Sequence, residues 1–149
     1  MNKSWLIKLL ILSVIIAVQV LPALKAQPEI KLEQFWVVLP PAVARNTAGY
    51  GVIKNEGNEE DRLIGIQSDS ATIMLHKTEI KSGMARMIHS PHMTIKSHSE
   101  LVLEPMSFHL MLTDLDMTTL FEGAEIILQF KFEKSGDIDI AVPVREILY

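Results

Sequence analysis

The stretch FHLMLT, residues 108–113, alternates apolar side chains with other side chains at a period of two residues. Successive side chains of a β-strand point to opposite faces, so this period predicts a strand whose apolar side chains face a core. His109 and Met111 would share the opposite face, roughly 6–7 Å apart along the strand. The pair suits one bound metal ion, although a solvated His beside a partly exposed Met explains it as simply.

Short apolar runs, often β-branched and bounded by Gly, Pro, Asn or Asp, follow one another along the chain from residue 30. Such runs predict strands. They lie at Ile30–Leu39, Gly49–Asn55, Arg62–Ser68, Thr72–Ile80, Met84–Ile88, Glu100–Leu103, Phe108–Thr113, Glu125–Glu133 and Ile138–Val144. Residues 114–123 favour a short helical turn. Eight or nine short strands predict an all-β fold, either a Greek-key β-sandwich or a small barrel.

Residues 1–26 have the features of a secretory signal peptide. Lys3 and Lys8 supply positive charge, an apolar run follows, and Ala26 offers a small residue for cleavage. An uncleaved anchor is the alternative, but a Gln and a Pro interrupt the run before the roughly 18–20 apolar residues that a membrane span needs. We therefore expect a mature domain of residues 27–149 without stable membrane insertion and, since the sequence has no Cys, without a lipid anchor.

The composition excludes several classes of function. The absence of Cys rules out thiolate zinc sites, CxxC redox pairs, cysteine nucleophiles and electron-transfer copper sites of the blue type. Without residues 1–26 and their three Lys, 11 basic residues stand against 18 acidic ones, a net charge of −7 with neutral His. Such a domain lacks a basic face for nucleic acid and attracts cations. An exported protein that binds a soft metal without thiols must use thioether and imidazole groups.

The His and Met residues are concentrated in the middle of the chain. All five His and seven of the eight Met lie within the 44 residues 74–117. One subset, His76, Met87, His109 and Met111, is separated by ten, twenty-one and one intervening residues. Two imidazoles and two thioethers make a neutral donor set that favours Cu(I) and tolerates Cu(II). Thioethers bind less strongly than thiolates, which suits a protein that passes its metal on.

The spacing His-x10-Met-x21-His-x-Met resembles the signature of the periplasmic copper chaperone family written PCu(A)C. Further blocks similar to the family occur in order, at residues 48–55, 74–78, 83–87, 101–105 and 109–112. Together they cover most of residues 30–145. One loop departs from the pattern, because residues 104–108 read EPMSF where relatives often have a Gly-rich stretch.

This resemblance implies a cupredoxin-like β-sandwich that binds one copper ion through His76, Met87, His109 and Met111. Family members carry copper in the periplasm of Gram-negative-type bacteria and hand it to the copper centre of cytochrome c oxidase or to another chaperone. For this chain the resemblance implies a periplasmic metallochaperone for Cu(I), with Cu(II) as a second form of the cargo. It implies a copper-accepting protein as the partner and no enzymatic activity. We expect a monomer, because the site of a carrier must stay reachable.

Three other functions are alternatives to copper delivery. Copper sequestration would use the same four residues, and the sequence does not separate it from delivery. A metal-free exported interaction module is the alternative from a different class. A copper oxygenase built on an N-terminal His is disfavoured because the expected mature N-terminus is Gln27.

The remaining His residues and one Met form a local cluster in the sequence. His89, His92, Met93 and His98 lie in what we interpret as a loop. The cluster would serve as a second, weaker Cu(II) site, as a capture point for incoming metal, or only as a polar surface loop, which is the favoured interpretation.

Overall fold

The computed structural model describes residues 26–147, which form ten β-strands and no helix. The strands are β1 Ile30–Val38, β2 Asn46–Asn55, β3 Asp61–Gln67, β4 Thr72–Lys81, β5 Met84–His89, β6 Met93–Ile95, β7 Ser99–Leu103, β8 Phe108–Thr113, β9 Glu125–Phe132 and β10 Gly136–Arg145. The predicted signal peptide, apart from Ala26, lies outside the described residues. Within the described part of the chain, no helix is long and apolar enough to cross a membrane.

All nine predicted strands are present, and the all-β prediction is confirmed. The tenth strand, β6, was not predicted because three residues are too few to show a period, although its Ile95 is only 1% exposed. Strand β2 begins three residues earlier than predicted, because Asn46–Gly49 pair with β8 while the rest of the strand pairs with β7. Residues 114–123 form turns and bends in place of the expected helical turn.

The strands form one curled sheet in the order β5-β4-β8-β7-β2-β1-β10-β9-β3-β6. Most neighbours are antiparallel, whereas β1 pairs with β10 and β7 with β8 in parallel. The sheet folds over on itself so that β3 contacts β4 and β2 contacts β6. Its two halves therefore enclose the core, and β5 lies at one free edge.

The core is built around Phe130, which is fully buried on β9. Its ring meets that of Phe35 edge-on, with the centroids 4.9 Å apart. Gly51 lies against the ring of Phe35, and a Cβ added to Gly51 would sit 2.5 Å from that ring. The glycine is thus required by the close approach of β2 to an aromatic side chain.

Asn55 ends β2 and is completely buried. Its carbonyl oxygen accepts the backbone N–H groups of Glu29 and Gly57, and its amide donates to the carbonyl oxygens of Glu59 and Ile95. An amide side chain offers two donors and a double acceptor, and all are used here. Asn55 therefore joins the segment before β1, the turn after β2 and strand β6.

Candidate metal site

The four predicted ligands lie on three adjacent strands at one end of the sheet. His76 is on β4, Met87 on β5, and His109 and Met111 are on β8. His76 pairs directly with His109, and Met87 pairs with Thr78, two residues beyond His76. Directly paired residues and residues two apart on a strand share a face. The strand register therefore brings all four side chains to the side opposite the core, which we call the His/Met face.

Two short rows of donor side chains cross the His/Met face. In the first row His76 stands between His89 and His109, with ring centroids 5.5 Å and 6.0 Å away respectively. In the second row Met74 pairs with Met111. Like donors therefore lie side by side across the strands, whereas imidazole and thioether groups follow each other along them.

The predicted ligands differ greatly in exposure. His76 and His109 are 9% and 7% exposed, and Met111 is partly buried. Met87 is 66% exposed and belongs to an edge strand whose six residues are all exposed. The site thus combines a fixed, buried pair of imidazoles with one thioether that solvent and other proteins reach directly.

A hydrogen bond fixes the tautomer of His109. Its Nδ1 lies 3.2 Å from the carbonyl oxygen of Ser107, which also accepts the backbone N–H of Thr78 at 3.0 Å. A carbonyl oxygen only accepts hydrogen bonds, so Nδ1 carries the proton. The Nε2 lone pair is then available to a metal ion, which is the usual arrangement of a ligating His.

His76 carries a buried nitrogen atom without a hydrogen bond. Its Nδ1 has no partner among the described residues. Burial lowers the pKa of His76 below its ordinary value, and the neighbouring His109 and His89 lower it further. The ring is therefore held neutral, the form in which imidazole binds a metal. An unpaired buried nitrogen destabilises a fold, and its presence beside His109 fits a metal-binding role.

The donor set determines which ion the face suits. Among residues 26–147 no three His, Asp or Glu side chains stand together in a way that holds a metal ion. In this conformation a site on the His/Met face therefore needs thioether sulfur, which Met111 and Met87 provide. Sulfur and imidazole together favour Cu(I) over Mg(II) or Ca(II), which bind oxygen.

The structure separates the residues that the sequence grouped as one loop cluster. His89 is the last residue of β5 and faces His76, whereas Met93 begins β6 and packs against the core. The N–H of His98 donates to the carbonyl oxygen of Gly57, away from this row. The loop interpretation was wrong for His89 and Met93, which belong to strands. For His89 the sequence held one signal, because it follows Met87 by two residues and so shares its face.

The loop at residues 104–107, just before β8, forms a tight turn. Ser107 N–H donates to the carbonyl oxygen of Glu104, and Glu104 N–H donates to that of Phe108. Met106 has a φ of 65°, a conformation that favours glycine and costs other residues about 1–2 kcal/mol. The turn that places Ser107 beneath His109 is therefore formed with a Met in a conformation that glycine adopts more easily.

The stability of the metal-free protein is expected to fall at acidic pH because His76 takes up a proton more readily in the unfolded chain than in the folded one. The folded-state pKa lies below the ordinary value of 6.5, so the unfolded chain takes up its proton first and stability is lost below that pH. Thermal unfolding of the metal-free protein between about pH 8 and about pH 5 measures the loss. His76→Gln should flatten this dependence, and parallel profiles for the two proteins would contradict the assignment.

Comparisons with known proteins agree with this architecture. A family model described as "Putative lipoprotein LpqE-like" matches residues 30–144. The copper-bound PCuAC domain from PmoF2 has a TM-score of 0.67 at 21% identity, covering 81% of this chain and 99% of that domain. The solution structure of CuI-DR1885 from Deinococcus radiodurans has a TM-score of 0.66 at 28% identity, covering 89% of this chain and 87% of that one. No curated protein sequence matches significantly.

The family match spans all ten strands except the last residue of β10. The solved PCuAC domains share the fold over most of their own length. The resemblance seen in the sequence is thereby confirmed, and so is the cupredoxin-like fold that it implied. The chain belongs to the LpqE-like family and has the fold of the PCuAC copper-binding domains.

Proposed function

We propose that this protein is a copper carrier that binds one ion, chiefly Cu(I), on the His/Met face and passes it to a copper-accepting protein. The observation that carries the proposal is the buried pair His76 and His109, directly opposed on β4 and β8, with Met111 and Met87 on the same face. These four residues are the proposed ligands. They form a neutral set of two nitrogen and two sulfur donors, which stabilises the monovalent ion.

Each ligand has a distinct part in the proposed site. His109 offers Nε2 because Ser107 holds its Nδ1 proton. His76 is held neutral by burial and by its His neighbours. Met111 adds a partly buried sulfur two residues beyond His109. Met87 closes the site from the exposed edge strand and is the ligand that leaves most readily.

Delivery proceeds by ligand exchange and needs no redox or acid–base catalysis by the protein. An incoming thioether, thiolate or imidazole replaces Met87 first, because that side chain is the most exposed of the four. His76 and His109 release the ion last. Ile80 is exposed and lies on the same face as Met87, and together they offer the recipient an apolar contact surface.

The wider setting follows from the same proposal. Residues 1–26 would direct export to the periplasm, and the recipient would be the copper centre of cytochrome c oxidase or another chaperone. The description of the matching family as lipoproteins supports an exported location, although this sequence contains no Cys. The names of two solved relatives record bound copper, as Cu(I) in the Deinococcus protein. The protein would act as a monomer.

Copper transfer tests delivery against sequestration. The purified protein is loaded with one equivalent of Cu(I), mixed without oxygen with the copper-free, copper-binding domain of a cytochrome c oxidase subunit, and separated from it by chromatography. We expect most of the copper to move to the acceptor and none to move to an acceptor without its ligands. Copper that stays on the donor would indicate sequestration. Failure to load would indicate a metal-free module.

A further inference from the structure

His89 occupies a place equivalent to that of a proposed ligand. It pairs with His76 from one side just as His109 does from the other. Its ring centroid lies 5.5 Å from that of His76, closer than the 6.0 Å that separates His76 from His109. The geometric argument that puts His109 in the site therefore applies equally to His89, which lies outside the four-residue spacing.

The surroundings of His89 leave its ring free to move. The side chain is exposed at the end of the edge strand β5. Beside it a cavity of about 180 Å³ is bounded by Met74 and by Pro91 and His92 of the following loop. An exposed side chain changes rotamer on a fast timescale at little cost. His89 is thus able to turn towards the row or away from it.

The two oxidation states of copper favour different donors. Thioether sulfur suits Cu(I), whereas Cu(II) prefers imidazole nitrogen in a tetragonal arrangement. His76 and His109 alone supply two nitrogens, and the thioethers add little for Cu(II). A third imidazole on the same face would complete a nitrogen-rich set without any movement of the backbone.

We propose that His89 is a third imidazole ligand that joins His76 and His109 when the site holds Cu(II). This inference rests on the proposed function, because it uses the same two buried His residues. The three rings stand in a row, and among the described residues no three His, Asp or Glu side chains are arranged to hold a metal ion. His89 is the exposed ring of the three, so it turns towards the other two when the ion binds. Met87 then serves Cu(I) and His89 serves Cu(II), both from the edge strand β5.

The test compares His89→Ala with the wild-type protein for both ions. Affinities for Cu(II) and for Cu(I) are measured by competition with chelators, and the number of bound imidazoles is counted by pulsed electron paramagnetic resonance of the Cu(II) form. We expect three imidazoles in the wild type and two in the variant. We expect Cu(II) affinity to fall at least about tenfold and Cu(I) affinity to change less than about threefold.

Two further variants separate the possible failures. His98→Asn is the matched control, because it removes a His that lies away from the row and asparagine tolerates the φ of 52° at that position. His76→Ala should remove binding of both ions, and retention of both would overturn the proposed function. If His76→Ala abolishes binding while His89→Ala leaves Cu(II) affinity and the imidazole count unchanged, only the role of His89 is refuted. Equal losses of Cu(I) and Cu(II) in His89→Ala would also refute it.

Discussion

His76→Ala is expected to lower the affinity for Cu(I) by at least about 100-fold. Loss of a residue that only orients a metal ligand costs about 10–100-fold in metal affinity, and loss of the ligand itself should cost more. His76 is the central member of the imidazole row and is 9% exposed. A water molecule that replaced it would be a poor donor for a soft ion. Met111→Ala should also remove tight Cu(I) binding but affect Cu(II) much less, because Cu(II) gains little from a thioether.

Titration with Cu(I) under a competing chelator, without oxygen, measures this loss. The wild-type protein should take up one tightly bound equivalent, and neither variant should do so. His98→Asn again serves as the control that keeps the equivalent. Tight binding in both His76→Ala and Met111→Ala would move the site off the His/Met face.

Phe130→Ala is expected to cost about 3–5 kcal/mol in the free energy of unfolding. The ring is fully buried and packs edge-on against Phe35. Its removal leaves a cavity where the two halves of the sheet meet, and the strands on either side are too constrained by their pairing to close it. A loss of this size is a large part of the total stability of a small domain.

Chemical denaturation of the metal-free protein gives this free energy. Phe121→Ala is the matched control, because it deletes the same side chain from a position that is 58% exposed. The control should change stability by less than about 0.5 kcal/mol. Similar losses in the two variants would show that Phe130 does not lie in the core.

Local sequence was sufficient for most of the fold. Buried and more exposed side chains alternate along β9, and apolar side chains alternate with His109, Met111 and Thr113 along β8, so the period of two is visible in both. Strand β6 has only three residues, and the first residues of β2 are polar or small. Both are strands because distant partners pair with them, and this information is absent from a short stretch of sequence.

The site was predictable in part. The period of two placed His109 and Met111 on one face, and the resemblance to a family added His76 and Met87. The register of β4 with β5 and β8 was not predictable, since it depends on pairing between strands and on the turns that join them. For that reason His89 was grouped with its sequence neighbours, although its partner across the sheet is His76.

The four proposed ligands lie on strands and not in loops. The metal preference of this domain is therefore set by side chains of the sheet. The turns at residues 82–83, 90–92 and 104–107 carry none of the four proposed ligands. One residue inserted into β8 before His109 would instead disrupt the site, because a shift of one residue turns the His109 side chain to the core face of the sheet. Substitutions at positions of the His/Met face thus offer a direct way to redesign which ion the fold carries.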